Sequence, residues 1–193
     1  MIPERKYSLP RLPREFYQAG AVVHWTCSTF DRAQGWLNQS FHRYFRELML
    51  HVAAREKLLC PVYCLMPDHI HLIWMGLTLE SDQLNAMAFL RTHLEPGLAP
   101  AKFQPQAHDH VLSELERKRN AFSQSCFYLL NNPVAAELVT ATEQWQYHGA
   151  VIAGYPTLHP LRQNFWPLFW RLYQKMKQPD ADRRTLPPRR IRS

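Results

Sequence analysis

Two histidines separated by one apolar residue open a hydrophobic segment, Met66-Pro67-Asp68-His69-Ile70-His71-Leu72-Ile73-Trp74. Because successive side chains of a β-strand point to opposite faces, His69 and His71 should share one face, while Ile70 and Leu72 anchor the other in a core. Two imidazoles fixed in this way on a rigid strand can bind one metal ion. This segment is therefore the first candidate for a functional site.

The sequence contains a second pair of the same kind. His108-Asp109-His110 repeats the spacing, and Asp109 could itself bind a metal ion. We favour the first pair because a tight turn precedes it and an alternating apolar pattern follows it. Two hydrogen-bonded strand histidines without a metal are the simplest alternative. Cys60 and Cys64 have half of a zinc-site spacing, but two strand cysteines sharing a face are the simpler expectation.

Composition limits the function classes. The chain has 193 residues, 46% of them hydrophobic, which predicts one domain with additional segments attached and a substantial hydrophobic core. A net charge of +7 favours an anionic partner, of which nucleic acid is the commonest, although a merely basic soluble protein also fits. Neither a signal peptide nor a run of about 18 apolar residues is visible. We therefore expect no membrane contact, a cytoplasmic location and free thiols.

The elements that position the histidines follow from hydrophobic periodicity. Strands are predicted over 21–30, 58–65, 69–75 and part of 102–112, and helices over 33–56, over 82–94 and from 113 past 126. Ser81 is the expected N-cap of the second helix, Pro96-Gly97 its end, and Pro61 indicates an edge position or a bulge. This order predicts an α+β fold, a ferredoxin-like antiparallel sheet with helices on one face and the other face free for a ligand.

The third predicted helix carries a further candidate. Its expected inward stripe consists of Phe127, Leu130, Val134 and Leu138. The neighbouring face is small and polar except for Tyr128, which should therefore lie beside an open surface. Pro133 predicts either a kink or the start of a new helix with Asn132 as its N-cap.

The ends of the chain are expected to differ from this domain. Residues 1–19 should form an extended basic arm, 20–155 the main domain, 156–178 a C-terminal helical extension and 179–193 a disordered basic tail. Within the main domain, 140–155 is expected to be irregular. Three of its residues could stack on unpaired bases or pack in the core: Trp145, Tyr147 and His148.

Taken in order, these motifs resemble the REP-associated tyrosine transposases, relatives of the single-tyrosine HUH transposases of small insertion sequences. The resemblance covers roughly residues 14–155. It rests on the M-P-D-H-I-H-L-I-W run, on the Tyr128–Val139 segment about sixty residues later, and on Phe103–His110, which is similar to the family's W-Q-P…(D/E)-H segment. The family usually carries basic residues where this chain has Ala135, Ala136 and Glu137, so a phosphate contact there is expected to be missing.

The resemblance implies a ferredoxin-like sheet and a role for each matching residue. His69 and His71 would be metal ligands, Tyr128 the nucleophile, and Asn132, with Asn131 as the alternative, the third ligand. The implied ion is Mg²⁺ or Mn²⁺, whereas imidazoles alone suit Mn²⁺ or Zn²⁺ better. The implied reaction leaves a 5′-phosphotyrosine and a free 3′-hydroxyl.

The leading functional prediction is a metal-dependent single-stranded DNA endonuclease and strand transferase that acts at hairpin DNA, as a monomer or homodimer associated with a prokaryotic nucleoid. Alternatives are a non-catalytic nucleic-acid-binding protein or repressor, and an unrelated metal-dependent hydrolase that combines both histidine pairs. Six basic residues are further candidates for DNA contacts: Arg11, Arg14, His110, Arg117, Lys118 and Arg119.

Overall fold

A five-stranded antiparallel sheet forms the centre of the computed structural model, which describes residues 10–118 and 120–178, without the side chains of Arg117 and Lys118. The strands are β1 (Val22–Ser28), β2 (Leu58–Met66), β3 (His69–Gly76), β4 (His108–Val111) and β5 (His148–Val151). Their order across the sheet is β4-β1-β3-β2-β5. The first four strands have the ferredoxin-like arrangement, so the predicted α+β class and antiparallel sheet are confirmed.

The predicted hairpin joins β2 and β3. Met66 pairs with His69 across a two-residue turn of Pro67 and Asp68. The alternation along β3 is also as predicted, because Ile70 is buried in the apolar core while the histidines project from the opposite face. A local pattern of period two therefore fixed the orientation of this strand.

Pro61 lies in a bulge, the second of the two predicted possibilities. Strand β2 is not an edge, since it lies between β3 and β5, and its register shifts between Leu59 and Val62. The extra residue reverses the alternation. Cys60 consequently packs in one core while Cys64 pairs with His71 on the other face, so the expected shared face of the two cysteines is wrong.

Among the described residues, five helices accompany the sheet: α1 (Gln39–Glu56), α2 (Gln83–Leu98), α3 (Glu114–Lys118), α4 (Ala121–Ala135) and α5 (Phe165–Met176). Helices α1 and α2 pack on one face, around Phe45 and Trp74. Helices α4 and α5 pack on the other, where Phe122 and Phe165 join Ile73. The prediction that helices occupy one face only is therefore wrong, because the C-terminal helix is amphipathic and buries its apolar side on the second face.

Two helix boundaries differ from prediction because capping groups decide them. The carboxylate of Asp82 accepts hydrogen bonds from the backbone N–H groups of Leu84 and Asn85, so Asp82 is the N-cap of α2. Ser81 instead donates to the carbonyl of Lys57. Helix α2 also continues through Pro96 to Leu98, because the last turn tolerates the loss of one donor and the Leu98 side chain is buried.

The first predicted helix begins later than expected. Asn38 caps α1 by accepting a hydrogen bond from the N–H of Phe41, and the residues before it form a short 3₁₀ turn, Phe30–Arg32. The expected helix over 33–38 is therefore absent from the described structure.

The predicted third helix is divided into α3 and α4 at Asn120, whose φ is 62°. Its predicted inward stripe is confirmed at Leu130, which is buried, but is wrong at Phe127, which is 71% exposed, and at Leu138, which is also exposed. The side chains that α4 buries are Phe122, Cys126, Leu129, Leu130 and Pro133. Contact with α5 sets this rotation, since the ring of Phe122 packs edge-on against that of Trp166.

Pro133 lies inside α4, which continues to Ala135. Asn132 is therefore a residue of the helix interior, and the reading of Asn132 as an N-cap is wrong. Its side-chain Nδ2 donates to the carbonyl oxygen of Tyr128 at 2.9 Å. The helix continues because a single missing donor near its C-terminal end is a small loss beside the packing of α4 on the sheet.

The segment 140–155, expected to be irregular, contains β5, a strand of four residues that is too short to give a clear periodic signal. Its aromatic residues are packed rather than free: Trp145 donates to the carbonyl of Leu65, Tyr147 packs against the core, and His148 is buried. These contacts favour the core-packing alternative for all three.

The N-terminal segment also differs from the predicted extended arm. Arg14–Tyr17 forms a 3₁₀ helix and Tyr17 is fully buried, because its ring packs against Trp25. The rest of the arm up to residue 9 and the predicted basic tail 179–193 lie outside the described residues. Within 10–118 and 120–178, no helix is long and apolar enough to cross a membrane.

Candidate active site

The two histidines of β3 converge on one point above the sheet. The Nε2 atoms of His69 and His71 are 3.0 Å apart. Both side chains leave the same face of a strand that has neighbours on either side, so the backbone holds them rigidly. His71 is buried, whereas His69 is half-buried and closer to solvent.

Other polar groups hold the remaining nitrogen of each ring. Nδ1 of His69 lies 2.6 Å from a carboxylate oxygen of Asp68. Nδ1 of His71 lies 3.0 Å from Oγ1 of Thr26 and 3.1 Å from Nε2 of His24, both on β1. Hydrogen bonds at Nδ1 fix the orientation of an imidazole and leave its Nε2 free for a ligand.

His71 and His24 are neutral at physiological pH. Burial lowers the pKa of His71 to about 2, with smaller contributions from the charges of His69, His24 and Arg32. Burial likewise lowers the pKa of His24 to about 4, assisted by His110 and His108. The low pKa of His71 keeps a lone pair on its ring, which is the form that binds metal ions.

Helix α4 brings Tyr128 to these histidines. The ring centroid of Tyr128 is 5.9 Å from that of His71 and 6.4 Å from that of His24, edge-on in both cases. The side chain is nevertheless 54% exposed. The structure therefore brings together three residues that are distant in sequence and leaves the phenol accessible to a large substrate.

Asn132 lies one helical turn after Tyr128, as the spacing predicts. Because its Nδ2 donates to the Tyr128 carbonyl, the amide nitrogen is occupied and the amide oxygen takes no part in that bond. Asn131 and Asn132 are both half-buried. The oxygen of Asn132 is thus the candidate donor that α4 offers beside the tyrosine.

Sequence reasoning missed His24 and Thr26. Both project from β1 toward the histidines because Thr26 is the register partner of His71. A signal was present, since the polar residues of β1 alternate with the buried Val23, Trp25 and Cys27. The strand was predicted, but which strand would pair with β3 was not.

The second histidine pair reaches the same face on the edge strand β4. His108 pairs with Thr26 and His110 with His24, and both side chains are exposed. His110 lies 3.2 Å from a carboxylate oxygen of Glu116. Asp109 points to the opposite face, so the three residues of this motif cannot converge on one ion.

Arg11 and Arg14 are not brought to this site. Arg11 contacts Asp109 at 3.1 Å and lies over Trp25, and Arg14 contacts Asp82 at 2.8 Å, which places both on the α1/α2 side of the sheet. The side chains of Arg117 and Lys118, and all of Arg119, fall outside the described residues. Their contacts with DNA stay predictions.

The donor set fits a divalent metal ion. Two imidazole nitrogens that bind one ion at about 2.1 Å and at right angles are about 3 Å apart, which agrees with the 3.0 Å between His69 and His71. Among the described residues, no group of three or more His, Cys, Asp or Glu side chains is placed to hold a metal. A third protein ligand would therefore be a group such as the Asn132 amide, and imidazole donors suit Mn²⁺ or Zn²⁺ better than Mg²⁺.

Comparisons with known proteins bear on the fold. Neither the family models nor the curated proteins give a match to this sequence. A solved structure of a REP-associated tyrosine transposase bound to a REP hairpin is similar, with a TM-score of 0.59 and 18% sequence identity, over 72% of this chain and 82% of that chain. At this level of identity the likeness concerns the fold, and this chain therefore shares the α+β fold of that transposase.

Proposed function

We propose that this protein is a metal-dependent single-stranded DNA endonuclease and strand transferase that acts at hairpin DNA through a 5′-phosphotyrosine on Tyr128. The observation that carries the proposal is the position of a half-exposed tyrosine beside two converging imidazoles. The net charge of +7 and the fold shared with a transposase bound to hairpin DNA support it.

The phenol of Tyr128 supplies the nucleophile. Its Oη attacks the scissile phosphorus, the bond from phosphorus to the 3′ oxygen breaks, the phenolic proton passes to solvent and the leaving 3′ oxygen takes up a proton. The phosphotyrosine keeps the energy of the phosphodiester, so a 3′-hydroxyl can attack it, release the tyrosine and join two strands.

The two histidines would hold a cation beside the scissile phosphate. A divalent cation held by His69 and His71 would neutralise the anionic phosphate. Asp68, Thr26 and His24 keep each imidazole in the orientation that presents Nε2. Because the Tyr128 side chain is exposed, a DNA strand can approach it along the solvent side of helix α4.

Covalent capture of DNA tests the proposal. Labelled DNA hairpins with single-stranded flanks are incubated with the protein and Mn²⁺, and products are separated under denaturing conditions. We expect an adduct that Tyr128→Phe abolishes and that Tyr155→Phe, a change at an exposed tyrosine of another segment, retains. An adduct that persists in Tyr128→Phe would contradict the assignment of the nucleophile.

One observation favours a second candidate, a DNA-binding protein or repressor without cleavage activity. The described residues contain no third His, Cys, Asp or Glu side chain placed to complete a metal site with His69 and His71. Tight binding of the same hairpins without any adduct would establish this alternative. Cleavage that survives Tyr128→Phe would instead indicate the unrelated hydrolase.

A further inference from the structure

The turn that follows β1 is attached to the candidate active site. Thr29 is fully buried, its N–H donates to the carbonyl of Asp68 at 3.0 Å, and its hydroxyl lies 2.8 Å from the same oxygen. Asp68 is the residue whose carboxylate orients His69. The turn Thr29–Ala33 therefore holds a fixed position beside the histidine pair.

This turn has an unusual backbone. Asp31 and Arg32 are consecutive and have φ angles of 51° and 56°, in the left-handed region that residues with a Cβ rarely adopt. Hydrogen bonds maintain it: Phe30 N–H donates to the carbonyl of Lys102 at 2.7 Å, and Ala33 N–H donates to that of Phe30 at 3.1 Å. Strain of this kind persists where the surroundings enforce it, and it is concentrated at binding sites.

The enforced turn presents an aromatic ring and a cation to solvent. Phe30 is 56% exposed, and the Arg32 side chain is 61% exposed. One guanidinium nitrogen of Arg32 lies 3.2 Å from the second carboxylate oxygen of Asp68. Among the described residues this is its only polar partner, so most of its donors face solvent. Because the other oxygen of that carboxylate lies 2.6 Å from Nδ1 of His69, Arg32 lies near the histidine pair.

We infer that Arg32 and Phe30 form a DNA-contact site next to the active site, in which Arg32 binds a backbone phosphate and Phe30 stacks on an unpaired base. The inference rests on the proposed function and adds the groups that hold the strand there. A guanidinium pairs two donors with a phosphate, and an exposed aromatic ring stacks on any base. Both contacts are independent of sequence.

The ion pair with Asp68 does not prevent this role. Arg32, at 61% exposed, holds its end of the pair in solvent, where an ion pair contributes little free energy, so a phosphate can replace or share it. Asp68 would keep its hydrogen bond to His69 after such an exchange, because that bond uses the other carboxylate oxygen. Arg32 can therefore engage DNA without disturbing the histidine.

The phosphate contact is tested by DNA binding in EDTA, so that cleavage plays no part. The probe is a fluorescent DNA hairpin with oligo-thymidine extensions, and anisotropy is measured at several salt concentrations. We expect Arg32→Gln to weaken binding roughly tenfold and to reduce the slope of log affinity against log salt by about 0.7, the value for one lost phosphate contact on a single strand.

Arg55 provides a matched control. Its side chain is 59% exposed and pairs with Glu56 at 3.0 Å, yet it belongs to α1 on the other side of the sheet. Arg55→Gln should bind DNA as wild type does.

Arg32→Lys, which keeps the charge, should keep the salt slope but bind more weakly, since an ammonium cannot pair two donors with a phosphate. If wild type and Arg32→Gln have the same slope of log affinity against log salt, the phosphate contact is overturned. If Arg32→Gln does not fold, the contact is overturned when Arg32→Lys binds DNA as tightly as wild type.

The stacking contact has its own measurement. We place 2-aminopurine at successive positions of the single-stranded extensions and measure its fluorescence. We expect wild type to quench the fluorescence at one position. Phe30→Leu should not quench it there and should bind the DNA about tenfold more weakly. Tyr44→Leu, at a comparably exposed aromatic on α1, should change neither. Unchanged quenching and affinity in Phe30→Leu would overturn this contact.

These results are separable from the proposed function. A wild-type adduct with no effect of Arg32→Gln or Phe30→Leu on binding would overturn the contact site and leave the tyrosine mechanism standing. Loss of binding in both variants, with no adduct in wild type, would establish the contact site on a protein that binds DNA without cutting it.

Discussion

The two His-x-His motifs have the same spacing and reach the same face of the sheet, but they differ in what surrounds them. On β3, an inner strand, the rings of His69 and His71 converge and other polar groups hold each Nδ1. On β4, an edge strand, His108 and His110 are exposed, and no bond between their rings occurs among the described residues. The comparison shows that position in the sheet, rather than the motif, determines whether two histidines are preorganised.

The largest difference between the motifs should appear in metal affinity. We expect His69→Ala and His71→Ala to weaken Mn²⁺ binding more than about 100-fold, beyond the usual effect of outer-shell changes. His108→Ala and His110→Ala should leave it close to wild type. Titration calorimetry or Mn²⁺ electron paramagnetic resonance measures this. An equal loss in His110→Ala would place the ion between the motifs and support the hydrolase alternative.

His24 connects the two motifs, since it contacts His71 and pairs with His110. His24→Ala should weaken Mn²⁺ binding about 10-fold, the lower end of the effect of removing a group that orients a ligand. His24→Gln, which keeps an acceptor, should recover part of the loss. Mn²⁺ binding by His24→Ala equal to wild type would mean that Thr26 alone orients His71.

Asp109 should affect stability and not metal binding. It accepts hydrogen bonds from the Tyr17 hydroxyl and from Arg11 on the α1/α2 side of the sheet. Asp109→Asn is expected to lower the free energy of unfolding by about 1–3 kcal/mol, because the buried Tyr17 hydroxyl and the Arg11 guanidinium lose a charged acceptor. Urea unfolding measures this, with Mn²⁺ affinity as the control. A variant that loses the metal but keeps its stability would contradict the structural role.

The smallest expected effect concerns a histidine outside the candidate site and its influence on the pH dependence of stability. His42 is buried in α1, and its ring is hydrogen-bonded to the Tyr63 hydroxyl. Burial, followed by Arg46 and two histidines, lowers the pKa of His42 from 6.5 to about 4. Since the folded-state pKa lies below the unfolded one, its contribution to stability is complete above pH 6.5 and is lost as the pH falls toward 4.

The free energy of unfolding of wild type should therefore decline between pH 6.5 and 4, and His42→Gln should flatten part of that decline. Urea unfolding at a series of pH values provides the measurement. An identical slope in His42→Gln would show that this histidine does not cause the acid sensitivity.

Local features of the fold were predictable. The hairpin of β2 and β3 follows from Pro67-Asp68 between two apolar segments, whereas Pro61 indicated either an edge position or the bulge that the structure has. The alternation along β3 places both histidines on one face regardless of the rest of the chain. Capping and helix rotation were less predictable: Ser81 was the expected cap of α2, but its hydroxyl bonds to the carbonyl of Lys57, and Asp82 caps the helix instead.

Features that depend on packing between distant segments were not predictable. The stripe predicted for α4 placed Phe127 inside, whereas contact with α5 turns Phe122 inward and leaves Phe127 in solvent. Strand β5 was missed because four residues give no periodic signal, and it forms by pairing with β2.

The sequence by itself determined the chemical groups and their local geometry, because the two-residue period of a strand and the four-residue turn of a helix are properties of the backbone. It therefore placed His69 beside His71 and Asn132 one turn after Tyr128. The tertiary structure decided which of these groups meet. Pairing of β1 with β3 supplied His24 and Thr26, and packing of α4 on the second face brought Tyr128 to the histidines, since such contacts depend on strand order and helix rotation rather than on spacing along the chain.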